Sequence, residues 1–212
     1  MRRPGLLAGA AAALLLALAA ATAFSAAPQA EDEPPFVHVT LDAREYSLGR
    51  SDAPLTLLEF TDYQCPYCRR FQAEAWPQIK KNYIDTGKLR FIVRDLPLQF
   101  HSSALPAAEA AHCAGEQGKF WEMHDLIYDG FPNLSKQLVG IYAKQLKLDL
   151  TKFNADLASH KYHARVAAEE KEGEDAGVAG TPTFYFNGKK FNGVFDVASV
   201  VPLIEKELGQ MN

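Results

Sequence analysis

The sequence predicts an α/β fold in which a βαβ unit and a ββα unit are separated by an all-helical block. Three observations predict it. Two apolar runs, Leu55 to Phe60 and Leu89 to Leu96, flank a stretch of helical periodicity. The pattern is then helical from Ser103 to about Gly177. Extended runs return on either side of Asn187-Gly188, and one more helical stretch follows. The 212 residues are 48% hydrophobic and 23% charged, which excludes intrinsic disorder and fibrous repeats. Three cysteines are too few to staple a disulfide scaffold of this length. A net charge of -4 leaves no electrostatic footprint for nucleic acid, so no nucleic-acid partner is expected.

Residues 1–27 carry Arg2 and Arg3, an apolar run from Leu6 to Phe24, and small residues at Ser25, Ala26 and Ala27. A basic start, an apolar middle and a small-residue end describe a signal peptide. An uncleaved membrane anchor is the alternative, because a run of this length is near the lower limit for a spanning helix. Either way the sequence implies export, to the periplasm or another extracytoplasmic space where disulfides persist. Residues 28–37 are Pro-rich and acidic and read as a linker, with the fold starting near His38.

Leu55 to Phe60 reads as a buried strand. From Pro66 to Tyr83, the residues Tyr67, Phe71, Ala75, Ile79 and Tyr83 recur every four positions and predict one apolar helix face, kinked at Pro77 and ended by Thr86-Gly87. Leu89 to Leu96 is a second strand, parallel to the first because a helix crosses between them. Four or five helices follow, with breaks near Gly118, Gly130 to Asn133, Lys147 to Asp149 and His160-Lys161. Thr183 to Phe186, Asn187-Gly188 and Lys189 to Phe191 read as a hairpin with a type I′ turn. Asp196 is the expected N-cap of a last helix reaching Leu208, with Pro202 deep inside it.

Cys65-Pro66-Tyr67-Cys68 lies directly after a strand and opens a helix, the context in which this spacing reads as a redox pair. Cys65 at the N-cap, with Pro66 at N1, puts its sulfur against unpaired N–H groups and the positive end of the helix dipole. Both favour the thiolate, by up to about 2 kcal/mol at a partly buried site. Arg69 and Arg70 are expected to add to this. Cys68 sits one turn further in and faces Cys65. Three other readings compete. A structural staple closing so short a loop stabilises little. Half of a zinc site lacks its other ligands. A copper site lacks clustered Met or His. Metal and cofactor are therefore expected to be absent.

Leu57 to Phe60, Thr61 to Gln64 and Cys65 to Cys68, taken together, resemble the DsbA-like thiol:disulfide oxidoreductases, which have a thioredoxin fold with a helical insertion. Arg94 to Pro97, Glu116 to His124 and Val178 to Thr183 are similar to that family too, in the order its fold requires. The resemblance implies a thioredoxin-like domain at 38–102 and 178–212, with the helical insertion at 103–177. It implies that Cys65 is the nucleophile and Cys68 the resolving cysteine. Thr181-Pro182 would be the cis-proline loop facing the disulfide, and with Pro66 and Tyr67 it would complete the active-site loops. Glu59 matches the family's buried acid and would be a proton shuttle beside Cys68; a solvent-facing Glu on a strand edge is the plainer reading. The helical block would cap the site and offer an apolar groove to unfolded peptide.

The function so implied is an exported thiol oxidase acting as a monomer on polypeptides with free thiols, re-oxidised by a membrane quinone-linked partner. Tyr67 stands where the best-known oxidants of the family carry His. That departure, with Thr181 before the proline, keeps a reductase or isomerase open, and a non-enzymatic chaperone or metal-binding module on the same fold is a separate alternative. Asp62 and Tyr63 are expected to shape the loop before Cys65. Cys113 reads as a small buried hydrophobe, and His101 and His112 as polar core or surface residues.

Overall fold

A computed structural model describes residues 46–191 and 197–210. The expected signal peptide, the expected linker, the expected start near His38 and the expected Asp196 cap lie outside the described residues. The first described element is β1 (Ser47–Leu48), which the sequence pattern did not reveal; β2 (Leu55–Thr61) follows. Then come α1 (Pro66–Glu74), α2 (Trp76–Ile79), a π-helical turn (Lys80–Ile84) and β3 (Leu89–Asp95). Five helices form the next block: α3 (Ala104–Gly115), α4 (Phe120–Asp129), α5 (Lys136–Gln145), α6 (Leu150–Ala158) and α7 (His163–Asp175). The chain then runs through β4 (Thr183–Phe186), β5 (Lys189–Lys190) and α8 (Val197–Gly209).

The strands form one sheet in the order β1-β3-β2-β4-β5. β2 is central, parallel to β3 and antiparallel to β4, so Glu59 lies between Val93 and Phe184. The period of two along β2 divides the core. Leu55 and Leu57 join Phe71, Trp76, Phe91, Phe184 and the cysteine pair on one face, whereas Leu58 and Phe60 join Ile92, Leu96, Tyr185 and Ala176 on the other. Glu59 and Thr61 share the parity of Leu55 and Leu57 and therefore face α1. On the opposite face α7 comes close: a Cβ at Gly173 would stand 3.1 Å from the Phe60 ring and 3.2 Å from Leu96.

The helix expected over Pro66 to Tyr83 is broken, not merely kinked. The break falls at Ala75 (φ −96°), two residues before Pro77. Pro77 has no N–H to donate, and its ring would meet the carbonyl of the preceding turn. The chain restarts with Pro77 in the first turn of α2, and the N–H groups of Gln78 and Ile79 both bond to the Ala75 carbonyl. Phe71, Ala75, Ile79 and Tyr83 are buried as the periodicity predicts, but Tyr67 is 68% exposed. The breaks in the helical block fall where the sequence places them. Asn187 (φ 47°) and Gly188 (φ 83°) form the hairpin turn, in the conformation that Asn-Gly favours. Pro202 sits inside α8 on its exposed side, while Val200 and Ile204 are buried beneath it.

Candidate active site

Cys65 is the N-cap of α1, with extended backbone (φ −76°, ψ 124°) and Pro66 in the first turn. Its N–H bonds to the Asp62 carbonyl at 3.0 Å, and its own carbonyl accepts from Arg69 N–H at 3.0 Å. The chain thus turns from β2 into α1 with the Cys65 sulfur at the open end of the helix. Both cysteines are buried, Cys65 at 3% exposure and Cys68 at 0%. The Cys65 thiol donates to the Thr181 carbonyl at 3.3 Å. The Thr181-Pro182 peptide bond is cis. This contact joins the two loops named by the sequence at one end of the sheet, where β2 ends and β4 begins.

Hydrogen bonding from the Cys68 thiol brings the Cys65 pKa down to about 6 from an ordinary 9.0. Burial opposes this, while the Thr181 side chain and the N–H groups of Cys68 and Tyr67 reinforce it. Arg69 and Arg70 have other partners: Arg70 pairs with Glu74 at 3.2 Å, and Arg69 lies 3.9 Å from Asp129. Cys68 behaves oppositely. Burial, the Cys65 sulfur and the charge of Glu59 all push its thiol well above the usual range. The pair is therefore asymmetric, with one sulfur ionised at neutral pH and the other protonated.

Glu59 is fully buried in the central strand, so it is not an edge residue facing solvent. Burial raises its pKa to about 8 from 4.5, with a further push from Cys65 and an opposing hydrogen bond from Thr61. The Thr61 hydroxyl donates to Glu59 Oε1 at 2.8 Å and lies 2.7 Å from the Tyr128 hydroxyl. Glu59 Oε2 and the Tyr63 hydroxyl have no hydrogen-bond partner among the described residues. Thr61 and Tyr128 were not singled out by sequence reasoning. Tyr128 comes from α4, 67 positions further on, and no local pattern announces that contact.

Asp62 does shape the loop before Cys65. Its buried carboxylate accepts from Gln64 N–H (2.6 Å) and Leu98 N–H (2.8 Å), and lies 2.8 Å from His101 Nδ1. Gln64 Oε1 in turn accepts from Ser103 N–H at 2.8 Å, tying the loop to the start of α3. His101 is thus a partner of the loop before Cys65. His112 is buried against Asp95, with Nε2 2.7 Å from Oδ2.

Asp95, His112 and Glu169 could bring one ligand atom each within 4.8 Å of one another. Glu169 Oε1 and Oε2, however, already accept from Arg165 (2.9 Å) and the Asp95 N–H (2.9 Å). The trio is joined by the His112–Asp95 and Asp95–Glu169 hydrogen bonds, while Asp95 Oδ1 and His112 Nδ1 have no hydrogen-bond partner among the described residues. Cys113 is fully buried, and burial pushes its thiol up to about 12. A cavity of about 460 Å³ lies among α3, α5 and the end of α6, lined by Ser103, Pro106, Glu109, Val139 and Leu157. Among the described residues no helix is long and apolar enough to cross a membrane.

A mixed sheet with two strands joined in parallel through α1, a Cys-x-x-Cys pair opening that helix, and a helical insertion before the closing hairpin together define the thioredoxin fold. The thioredoxin family profile matches residues 42–206. A probable disulfide bond formation protein D from Bacillus anthracis is 33% identical over 172 residues, covering 77% of this chain and 78% of that protein. The solved structure of oxidised BdbD from Bacillus subtilis superposes with a TM-score of 0.71 at 28% identity, over 78% of this chain and 94% of the other. A protein named Na(+)/H(+) antiporter NhaA 3 from Salinispora tropica is 37% identical over 158 residues, and the chain spans only 24% of its length. The chain belongs to the thioredoxin family, among its DsbA-like thiol:disulfide oxidoreductases.

Proposed function

We propose that this protein is an exported thiol oxidase that introduces disulfides into polypeptides through the Cys65–Cys68 pair. The observation that carries the reading is the asymmetry of the pair, with Cys65 brought down to about 6 and Cys68 pushed up. A stabilised Cys65 thiolate favours the reduced enzyme and so drives electrons from substrate to enzyme.

In the oxidised enzyme a substrate thiolate attacks Cys65 Sγ. A substrate–Cys65 bond forms, the Cys65–Cys68 bond breaks, and its electron pair stays on Cys68, which takes a proton. A second substrate thiolate then attacks the substrate sulfur of this mixed disulfide, closing the substrate disulfide and releasing Cys65 as a thiolate. The substrate loses two electrons and the pair gains them. Glu59 is the proton source for Cys68, because its buried carboxyl remains largely protonated below pH 8. Pro66, Tyr67, Thr181 and Pro182 form the surface that receives the substrate, with Tyr67 projecting into solvent.

The leader at residues 1–27 supports export, and a membrane quinone-linked partner would restore the disulfide. A protein acting this way needs no cofactor and works as a monomer. The second reading, a reductase or isomerase, draws on the uncharged Tyr67 between the cysteines. Equilibration of the pure protein with glutathione separates the two. An oxidase gives a potential well above that of thioredoxin, whereas one near or below about −250 mV would make the chain a reductase.

A further inference from the structure

Thr61 Oγ1 carries one proton and two acceptor lone pairs. Three groups surround it. It donates to Glu59 Oε1 at 2.8 Å, the Tyr128 hydroxyl stands at 2.7 Å, and Cys68 is buried on the same face of β2, where the Thr61 hydroxyl draws its thiol pKa down against the groups that raise it. Because the single Thr61 proton goes to Glu59, Tyr128 must be the donor in its own contact. That leaves one lone pair of the hydroxyl unused by Glu59 and Tyr128. All four residues are buried, at 1% exposure or less, so bulk water has no ready route to replace any of them. Cys65, the N-cap of α1, and Tyr63 of the preceding loop are the other titratable groups facing this cluster.

We propose that Thr61 is a proton-transfer residue of the exchange reaction, its hydroxyl carrying a proton between the Glu59 carboxyl and the Cys68 sulfur while Tyr128 holds it in place. This rests on the oxidoreductase reading above. Two arrangements satisfy the hydroxyl. In one, Thr61 donates to the Glu59 carboxylate and accepts from the Cys68 thiol. In the other, it donates to the Cys68 thiolate and accepts from the Glu59 carboxylic acid. Tyr128 donates in both.

When the Cys65–Cys68 bond breaks, its electron pair goes to Cys68 Sγ. The Thr61 proton moves to that sulfur as the Glu59 proton moves to Thr61 Oγ1. Cys68 ends as a thiol, Glu59 as a carboxylate and Thr61 unchanged. The reverse transfer deprotonates Cys68 when it attacks a mixed disulfide. A hydroxyl is required for this and a methyl is not, which makes valine the informative replacement because it matches the shape of threonine.

The test is stopped-flow reduction of the oxidised full-length protein by a dithiol over pH 5 to 9, for wild type, Thr61→Val, Thr61→Ser and Tyr128→Phe, each checked for native circular dichroism. The relay predicts that Thr61→Val slows the reaction on the order of 10²-fold at neutral pH, the lower end of what a positioned proton-transfer group contributes. It also predicts loss of the wild-type inflection near pH 8, rescue by Thr61→Ser to within about threefold, and an intermediate rate for Tyr128→Phe. The thiolate absorbance of reduced Cys65 should titrate as in wild type. An active wild type whose rate and pH inflection survive Thr61→Val overturns the relay alone, and so does a Thr61→Ser protein as slow as Thr61→Val. A wild type inert toward dithiols overturns the oxidoreductase reading and the relay with it.

Discussion

The sulfur of Cys65 stands 3.3 Å from the carbonyl oxygen of Thr181, a contact across 116 positions of sequence. It sets the cis-proline loop against the start of α1, and the Thr181 side chain, separately from this carbonyl, is one of the groups that lower the Cys65 pKa. Thr181→Val keeps the shape and removes the hydroxyl. Absorbance titration of the reduced thiol should show an inflection near pH 6 in the native protein. In the variant it should move upward by up to about one unit, or ~1.4 kcal/mol. An unchanged inflection would show that the Thr181 hydroxyl does not stabilise the thiolate.

The same depressed pKa has a consequence for stability. Below about pH 6 Cys65 is protonated whether folded or unfolded, and it adds nothing. Between about 6 and 9 the folded protein holds the thiolate while the unfolded chain binds a proton, so stability rises with pH. Only the reduced protein has this group to titrate. The difference in Tm between reduced and oxidised protein should therefore shift in favour of the reduced form as pH rises from 6 to 8. Scanning calorimetry of both forms measures it, and a gap independent of pH contradicts it.

Glu59 acts in the opposite sense. Its folded pKa of about 8 lies above the ordinary 4.5. The stability tied to its bound proton is fully present below 4.5 and is lost as pH rises through 8. Glu59→Gln removes that loss. The oxidised variant should be more stable than wild type by a few kcal/mol above pH 8 and should show a flatter pH dependence in urea unfolding. Its exchange with dithiols should be slower. A Glu59→Gln protein with the wild-type slope would place the titration on another group.

Asp62 should matter to stability and to the sulfur together. Its carboxylate serves the Gln64 and Leu98 N–H groups and His101. Asp62→Ala leaves these half-buried partners without their carboxylate, at a cost of about 2 kcal/mol. Chemical denaturation should register that loss, and alkylation of Cys65 should slow as the loop before α1 loosens. A variant as stable as wild type would mean that the loop is held by its backbone contacts alone.

Some features were legible because their cause is local. Breaks at Gly118, Gly130 and His160-Lys161, the Asn187-Gly188 turn, and the placement of Cys65 and Pro66 at the start of a helix follow from residue types within a few positions of each other. β1 escaped notice because two residues carry no periodicity, and only pairing with Ile92 and Phe91 makes them a strand. Pro77 marks a disturbance in the sequence, but that the helix restarts rather than bends is seen only in the backbone, where the Gln78 and Ile79 N–H groups share the Ala75 carbonyl.

What the sequence by itself determined is the order of elements and the identity of the reactive pair, since both rest on interactions between near neighbours along the chain. What only the tertiary structure decided is the environment of that pair. Thr181, Tyr128 and His101 reach the residues around the pair from 116, 67 and 39 positions away. The shifts on Glu59 and Cys68 come first from burial. Burial and charge are properties of packed neighbours in space, and no spacing along a chain encodes which distant side chain will supply them.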